Sequence, residues 1–136
     1  MLVLDASAAL TWCFIDEHTD FGERLLDAVQ QSGAMVPALW HTEVANLLLA
    51  SLRYGRLDAA ELDHLRTVFD RLPVQTEVLG PEQVRQGVLS LAQRHGLTVY
   101  DAVYLDLAQR RGLPLATLDT DLQRAARETG VALIEH

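Results

Sequence analysis

Short, unbroken apolar runs alternate along this chain with longer stretches whose apolar residues recur at helical spacing. A run without polar positions is a strand buried on both faces, as in a parallel sheet covered by helices. Strands are expected at 1–5 (MLVLD), 35–37, 76–79, 115–118 and 131–134. Helices are expected at 6–12, 17–31, 39–54, 57–72, 81–95, 99–111 and 119–129. Glycines 33, 55, 96, 112 and 130 stand at helix ends, Pro73 stops a helix, Pro81 opens one, and Thr98 is a candidate N-cap. The alternation specifies an α/β chain with a mostly parallel sheet. At 136 residues the chain is the size of one domain, 1–136. The segment 44–52 is apolar nearly all round, with Leu47, Leu48, Leu49 and Ala50 in succession. Such a helix needs cover on more than one side, from a deep core position or else from a dimer or docked partner.

A hydrophobic fraction of 49% supplies a core, and no apolar run approaches a membrane span of about 18–20 residues. No basic segment precedes the first apolar run, so a signal peptide is not expected and the cytoplasm is the expected compartment. The single cysteine, Cys13, lies between Trp12 and Phe14 and is expected to be a buried thiol. No CxxC and no pair of histidines at i, i+4 offers a zinc site. The histidines are expected mostly at the surface, with His41 of interest because it is near Glu43. The net charge is −8, and all eleven basic residues are arginine. That balance opposes general electrostatic binding of nucleic acid. It does not oppose a nuclease, because bound cations neutralise acidic sites locally, and it suits a basic protein partner.

Four acidic residues, Asp5, Glu43, Asp101 and Asp119, fall at strand ends and helix starts. In a parallel α/β sheet the strand C-termini open into one crevice where ligands bind. Each acid alone has a structural explanation. Asp5 and Asp119 sit where N-caps belong, Asp101 follows Thr98 as in a capping box, and Glu43 is placed in a first helical turn favoured by the macrodipole. Together in one crevice, four carboxylates repel, so one takes up a proton or a cation sits among them. An all-oxygen donor set suits Mg²⁺ or Mn²⁺ and metal-assisted cleavage of a phosphate ester. Ser7 can touch the same site as Asp5. Asn46, three residues after Glu43, shares its helical face and can orient it. Asp121 is a peripheral member of the site or the cap of the last helix.

In this setting DAS at 5–7, EVAN at 43–46, YDAVYL at 100–105 and TLD at 117–119 resemble the acidic motifs of PIN-domain nucleases. DASAALTW, VPALWHTEVANLLL and GLTVYDAVYLDLAQRRGLPLATLD resemble, more narrowly, VapC-type toxins. The resemblance spans essentially the whole chain. It departs at Thr11, where many of that group carry lysine before the tryptophan. It implies a three-layer α/β/α fold and Mg²⁺- or Mn²⁺-dependent endoribonuclease activity. It implies Asp5, Glu43, Asp101 and Asp119 as catalytic and metal-binding residues. It further implies an RNA substrate, a homodimer, and a cognate antitoxin whose tail blocks the active-site groove.

Other readings fare worse. A phosphate-accepting receiver domain uses a lysine, and this chain has none. Neither GxxxxGK[ST], GxGxxG nor GxSxG is present, which removes the common nucleotide-binding and serine-hydrolase patterns. The alternative that keeps the fold is a catalytically inactive PIN-like domain that binds a protein or RNA partner. Arg53, Arg56, Arg94 and Arg111 are candidates for contacting a substrate.

Overall fold

The computed structural model describes residues 1–14 and 20–135. Its sheet has strands β1 (Leu2–Leu4), β2 (Ala34–Pro37), β3 (Val74–Glu77) and β4 (Leu115–Ala116), all parallel, in the order β3-β2-β1-β4. Every residue of β1, β2 and β4 is buried. The register sets Leu2 against Ala34, Val3 against Leu115, and Ala34 against Val74. Of the strand expected at 131–134, a single parallel bridge between Leu115 and Leu133 is present.

The helices are α1 (Ala6–Ala9), continued by a 3₁₀ turn at Leu10–Trp12, α2 (Asp20–Ser32), α3 (Ala38–Arg53), α4 (Ala59–Arg71), α5 (Pro81–Gln83), α6 (Leu89–His95), α7 (Val99–Arg111) and α8 (Thr120–Thr129). Residues 17–19 of the second expected helix lie outside the described residues. The crossover from β1 to β2 runs one way along the sheet, and that from β3 to β4 runs back. Right-handed crossovers in opposite directions lie on opposite faces, which gives three layers. Phe21, Leu25 and Val29 of α2 and Tyr104, Leu105 and Leu107 of α7 are buried in the core around β1.

Several boundaries move for physical reasons. β3 ends at Glu77, and the apolar Val78 beyond it is 79% exposed. β4 stops at Ala116, because the amides of Leu118 and Asp119 are taken by the hydroxyls of Ser7 and Thr117. α4 begins after Asp58, which forms a capping box with Glu61, so the buried Leu57 precedes the helix. The helix expected over 81–95 is interrupted by a π turn at Val84–Val88. Gln83 folds over Gly87, where a Cβ would collide with it.

α3 is not covered on all sides. Trp40, Val44, Leu48 and Ser51 face inward, while Leu49 remains 39% exposed. Cys13 is buried, and burial pushes its thiol up to about 12, so it is an inert hydrophobe as expected. No helix among the described residues is long and apolar enough to cross a membrane.

Candidate active site

The strand order reverses direction beside β1, with β2 on one flank and β4 on the other. Such a switch point opens a crevice at the strand C-termini. Asp5 follows β1 and Asp119 follows the β4 segment, and the Asp5 amide donates to the Ala116 carbonyl at 3.0 Å. α3 starts directly after β2 and carries Glu43 in its second turn, not its first. Asp101 lies in the first turn of α7.

Asp5 is 6% exposed and stands at the N-cap position of α1 without capping it through its side chain. Its Oδ2 accepts from the Ser7 hydroxyl at 2.8 Å and the Thr117 hydroxyl at 2.6 Å. Burial raises its pKa, the two hydroxyls and the Ala6 amide pull it down, and the charge of Asp119 raises it again. Ser7 also accepts from the Leu118 amide at 3.1 Å, and Thr117 accepts from the Asp119 amide at 3.1 Å. The two strand ends are thus tied together through the hydroxyls that hold Asp5.

Glu43 is half-buried, and its partner is the phenol of Tyr104, whose O–H donates to Oε1 at 2.5 Å. Asn46 is exposed. Burial raises Glu43, the phenol lowers it, and the charge of Asp5 raises it. Asp101 donates its amide to Thr98 Oγ1 at 3.1 Å, so Thr98 caps α7. The Asp101 carboxyl is pushed up to about 6 by burial first, then by the charges of Asp119 and Asp5. Asp119 caps α8 through the Leu122 amide at 2.9 Å. That assigns the cap to Asp119, and Asp121 points outward with 72% of its side chain exposed.

Fold and sequence therefore bring the acidic quartet to one edge. Its hydrogen-bond partners among the described residues are hydroxyls, a phenol and backbone amides, none of them a cation. Burial first, and the charges of neighbouring acids after it, raise the pKa values of Asp5, Glu43 and Asp101. Among the described residues no three His, Cys, Asp or Glu side chains close into a ready-made cage for an ion. The chemistry of the donors nonetheless fits a hard cation that keeps part of its water shell and takes one or two carboxylates directly.

The PIN domain family matches this chain over residues 2–128. The chain belongs to the PIN-domain family. This PIN domain is 35% identical over 125 residues to Ribonuclease VapC3 of Pyrobaculum aerophilum, covering 89% of this chain and 91% of the relative. That bears out the kinship with VapC proteins expected from the motifs. Among solved structures it is similar to PAE2754 of Pyrobaculum aerophilum, with 27% identity, a TM-score of 0.71, and coverage of 97% of this chain and 87% of that one. It shares its fold with a chain of a toxin–antitoxin complex from Klebsiella pneumoniae, at 16% identity and a TM-score of 0.60, covering 88% of each.

Tyr104, which bonds Glu43, is not among the residues singled out from the sequence. The signal was its position three residues after Asp101, which places both on one helical face. Among the arginines considered for substrate, Arg111 is engaged with Glu77 at 2.9 Å and Arg56 lies over the Phe14 ring at 4.0 Å.

Proposed function

We propose that this PIN domain is a Mg²⁺- or Mn²⁺-dependent endoribonuclease acting in the cytoplasm as the toxin of a toxin–antitoxin pair. The observation that carries the reading is a set of four carboxylates, drawn from four elements, with no cation among their hydrogen-bond partners. Asp5 and Asp101 would ligate the metal directly, and Glu43 and Asp119 would complete its surroundings directly or through water. When bound, the metal makes a water more acidic and offsets charge on the scissile phosphate. The protein's own part is orientation and proton transfer. Ser7 and Thr117 fix Asp5 through Oδ2. Glu43 or Asp119 accepts the proton of the attacking water. That water adds to phosphorus as the bond to one ribose oxygen breaks.

The relative named Ribonuclease VapC3 supports RNA as substrate. The fold shared with a toxin–antitoxin complex supports an antitoxin partner. A basic antitoxin tail suits this chain, since an arginine or lysine in the acidic crevice competes with the metal for the same carboxylates. A homodimer would cover part of the exposed apolar face of α3, where Leu49 is 39% exposed.

The test is cleavage of a mixed RNA pool by the purified chain with Mg²⁺ or Mn²⁺, beside Asp101→Asn and an EDTA control. Metal-dependent cleavage that Asp101→Asn abolishes supports the reading. A folded wild-type chain that cuts nothing and still captures a partner supports the inactive interaction domain. In cells, expression of the chain alone should slow growth, and co-expression of its antitoxin should restore it.

A further inference from the structure

Tyr104 is fully buried in the core, yet its phenol reaches the acidic edge. A buried phenol normally finds a hydrogen-bond partner, and here the O–H donates to Glu43 Oε1 at 2.5 Å, across 61 residues of sequence. Tyr104 sits one helical turn beyond Asp101 on α7. One side chain therefore joins the helix that carries Asp101 to the helix that carries Glu43.

We infer that Tyr104 is a positioning residue, which fixes the Glu43 carboxylate through Oε1 relative to Asp5 and Asp101. The inference rests on the metal-dependent reading above for its consequence, and on geometry alone for the contact. Without the phenol, Glu43 sits on a helix whose outer face is exposed, and no other described side chain is seen to hold it. Loss of such a supporting contact typically costs about 10- to 100-fold in metal affinity or activity. A phenylalanine keeps the ring that fills the core and removes only the donor.

The experiment is a double-mutant cycle of Tyr104→Phe and Glu43→Ala on the full chain. Two readouts are taken: the Mn²⁺ dissociation constant by calorimetry, and the urea midpoint in EDTA. Tyr104→Phe should weaken Mn²⁺ about tenfold when Glu43 is present and add nothing in the Glu43→Ala background. In EDTA its effect on the midpoint should likewise shrink once Glu43 is gone. An unchanged Mn²⁺ affinity in Tyr104→Phe, or an equal loss in both backgrounds, overturns the positioning role. If the wild-type chain binds no Mn²⁺, the metal reading fails. The EDTA cycle then decides alone, and additive midpoints overturn the contact.

Discussion

Asp101 and Glu77 both border helix α7, at its opposite ends, and their surroundings push them in opposite directions. Asp101, at the N-terminal end, is raised to about 6 by burial and by neighbouring acids. Glu77, at the end of β3, is lowered chiefly by its hydrogen bond to Arg110 and further by Arg111. Arg110 also bonds Asp106 at 2.8 Å through Nε, and Gln83 reaches the other oxygen of Asp106 at 3.2 Å. Asp106 is as buried as Asp5, at 6% exposure. Burial alone thus does not separate the two groups of acids. The arginines do, because a carboxylate with a fixed cation is a structural part, and one without is free to recruit a mobile cation. The arginine clasp also sits where basic residues favour a helix C-terminus and ties down the edge strand β3.

The largest expected difference between the two ends is in catalysis. Asp5→Asn or Asp101→Asn should lower metal-dependent RNA cleavage by about a hundredfold or more, the scale of lost acid–base and positioning groups. Glu77→Gln should leave the rate near that of the wild type. Cleavage rates at saturating Mn²⁺ check this, and comparable losses at both ends would erase the distinction.

Next in size is the response to metal. A cation that binds only the folded chain stabilises it by about 2.7 kcal/mol at a hundredfold excess over Kd. Mn²⁺ should therefore raise the melting temperature by roughly 10 °C. Asp5→Asn should blunt that rise and Glu77→Gln should not. A wild-type melt indifferent to millimolar Mn²⁺ removes the mobile cation from the acidic edge.

Somewhat smaller is the cost of breaking the clasp. Arg110→Ala leaves Asp106 buried without its cation, and the loss should be about 2 kcal/mol, since the arginine itself is one-third exposed. Chemical denaturation measures it. Asp101→Asn should move the midpoint the other way, because it removes repulsion.

The two ends were not equally legible in the sequence. The acidic edge was, because strand ends in an alternating chain must converge, and Asp5, Glu43, Asp101 and Asp119 each follow a recognisable local signal. The clasp was not. Glu77 was buried in a misplaced strand boundary, since Val78 and Leu79 extend the apolar pattern past the point where pairing stops. Arg111 reads as available to substrate because a sequence shows a charge and not its partner 34 positions away. The Tyr104–Glu43 bond was hidden for the same reason: it is a tertiary contact between two helices, and only the register of α7 against α3 reveals it. Asp5 shows the converse. Its N-cap position was read correctly, but the hydroxyls of Ser7 and Thr117 hold its carboxylate more closely than a helix amide does.

The smallest effect is the most direct comparison of the two ends, because one titration reads both. Asp101 holds its proton more tightly in the folded chain, at about 6, than at its ordinary value of 3.8. Between those values the folded state binds more protons than the unfolded state, so this group's contribution to stability is present at the acid side and is lost as pH rises toward 6. The opposite holds for Glu77. Its folded pKa lies below the ordinary 4.5, so its contribution is present above 4.5 and is lost as pH falls through the lower folded value. In EDTA, urea midpoints taken across this range should therefore fall on both sides. Asp101→Asn should remove its share of the fall between pH 4 and 6, worth roughly 1–2 kcal/mol once solvent screening of a half-buried carboxyl is allowed for. Glu77→Gln should flatten only the acid limb. Added Mn²⁺ should remove the contrast, because a metal bound by ionised carboxylates favours the deprotonated fold and makes stability at the acidic edge rise with pH, as it does at Glu77. A wild-type midpoint that rises from pH 4 to 6 in EDTA, with Asp101→Asn parallel to it, would mean that the acidic edge already holds a compensating charge of its own.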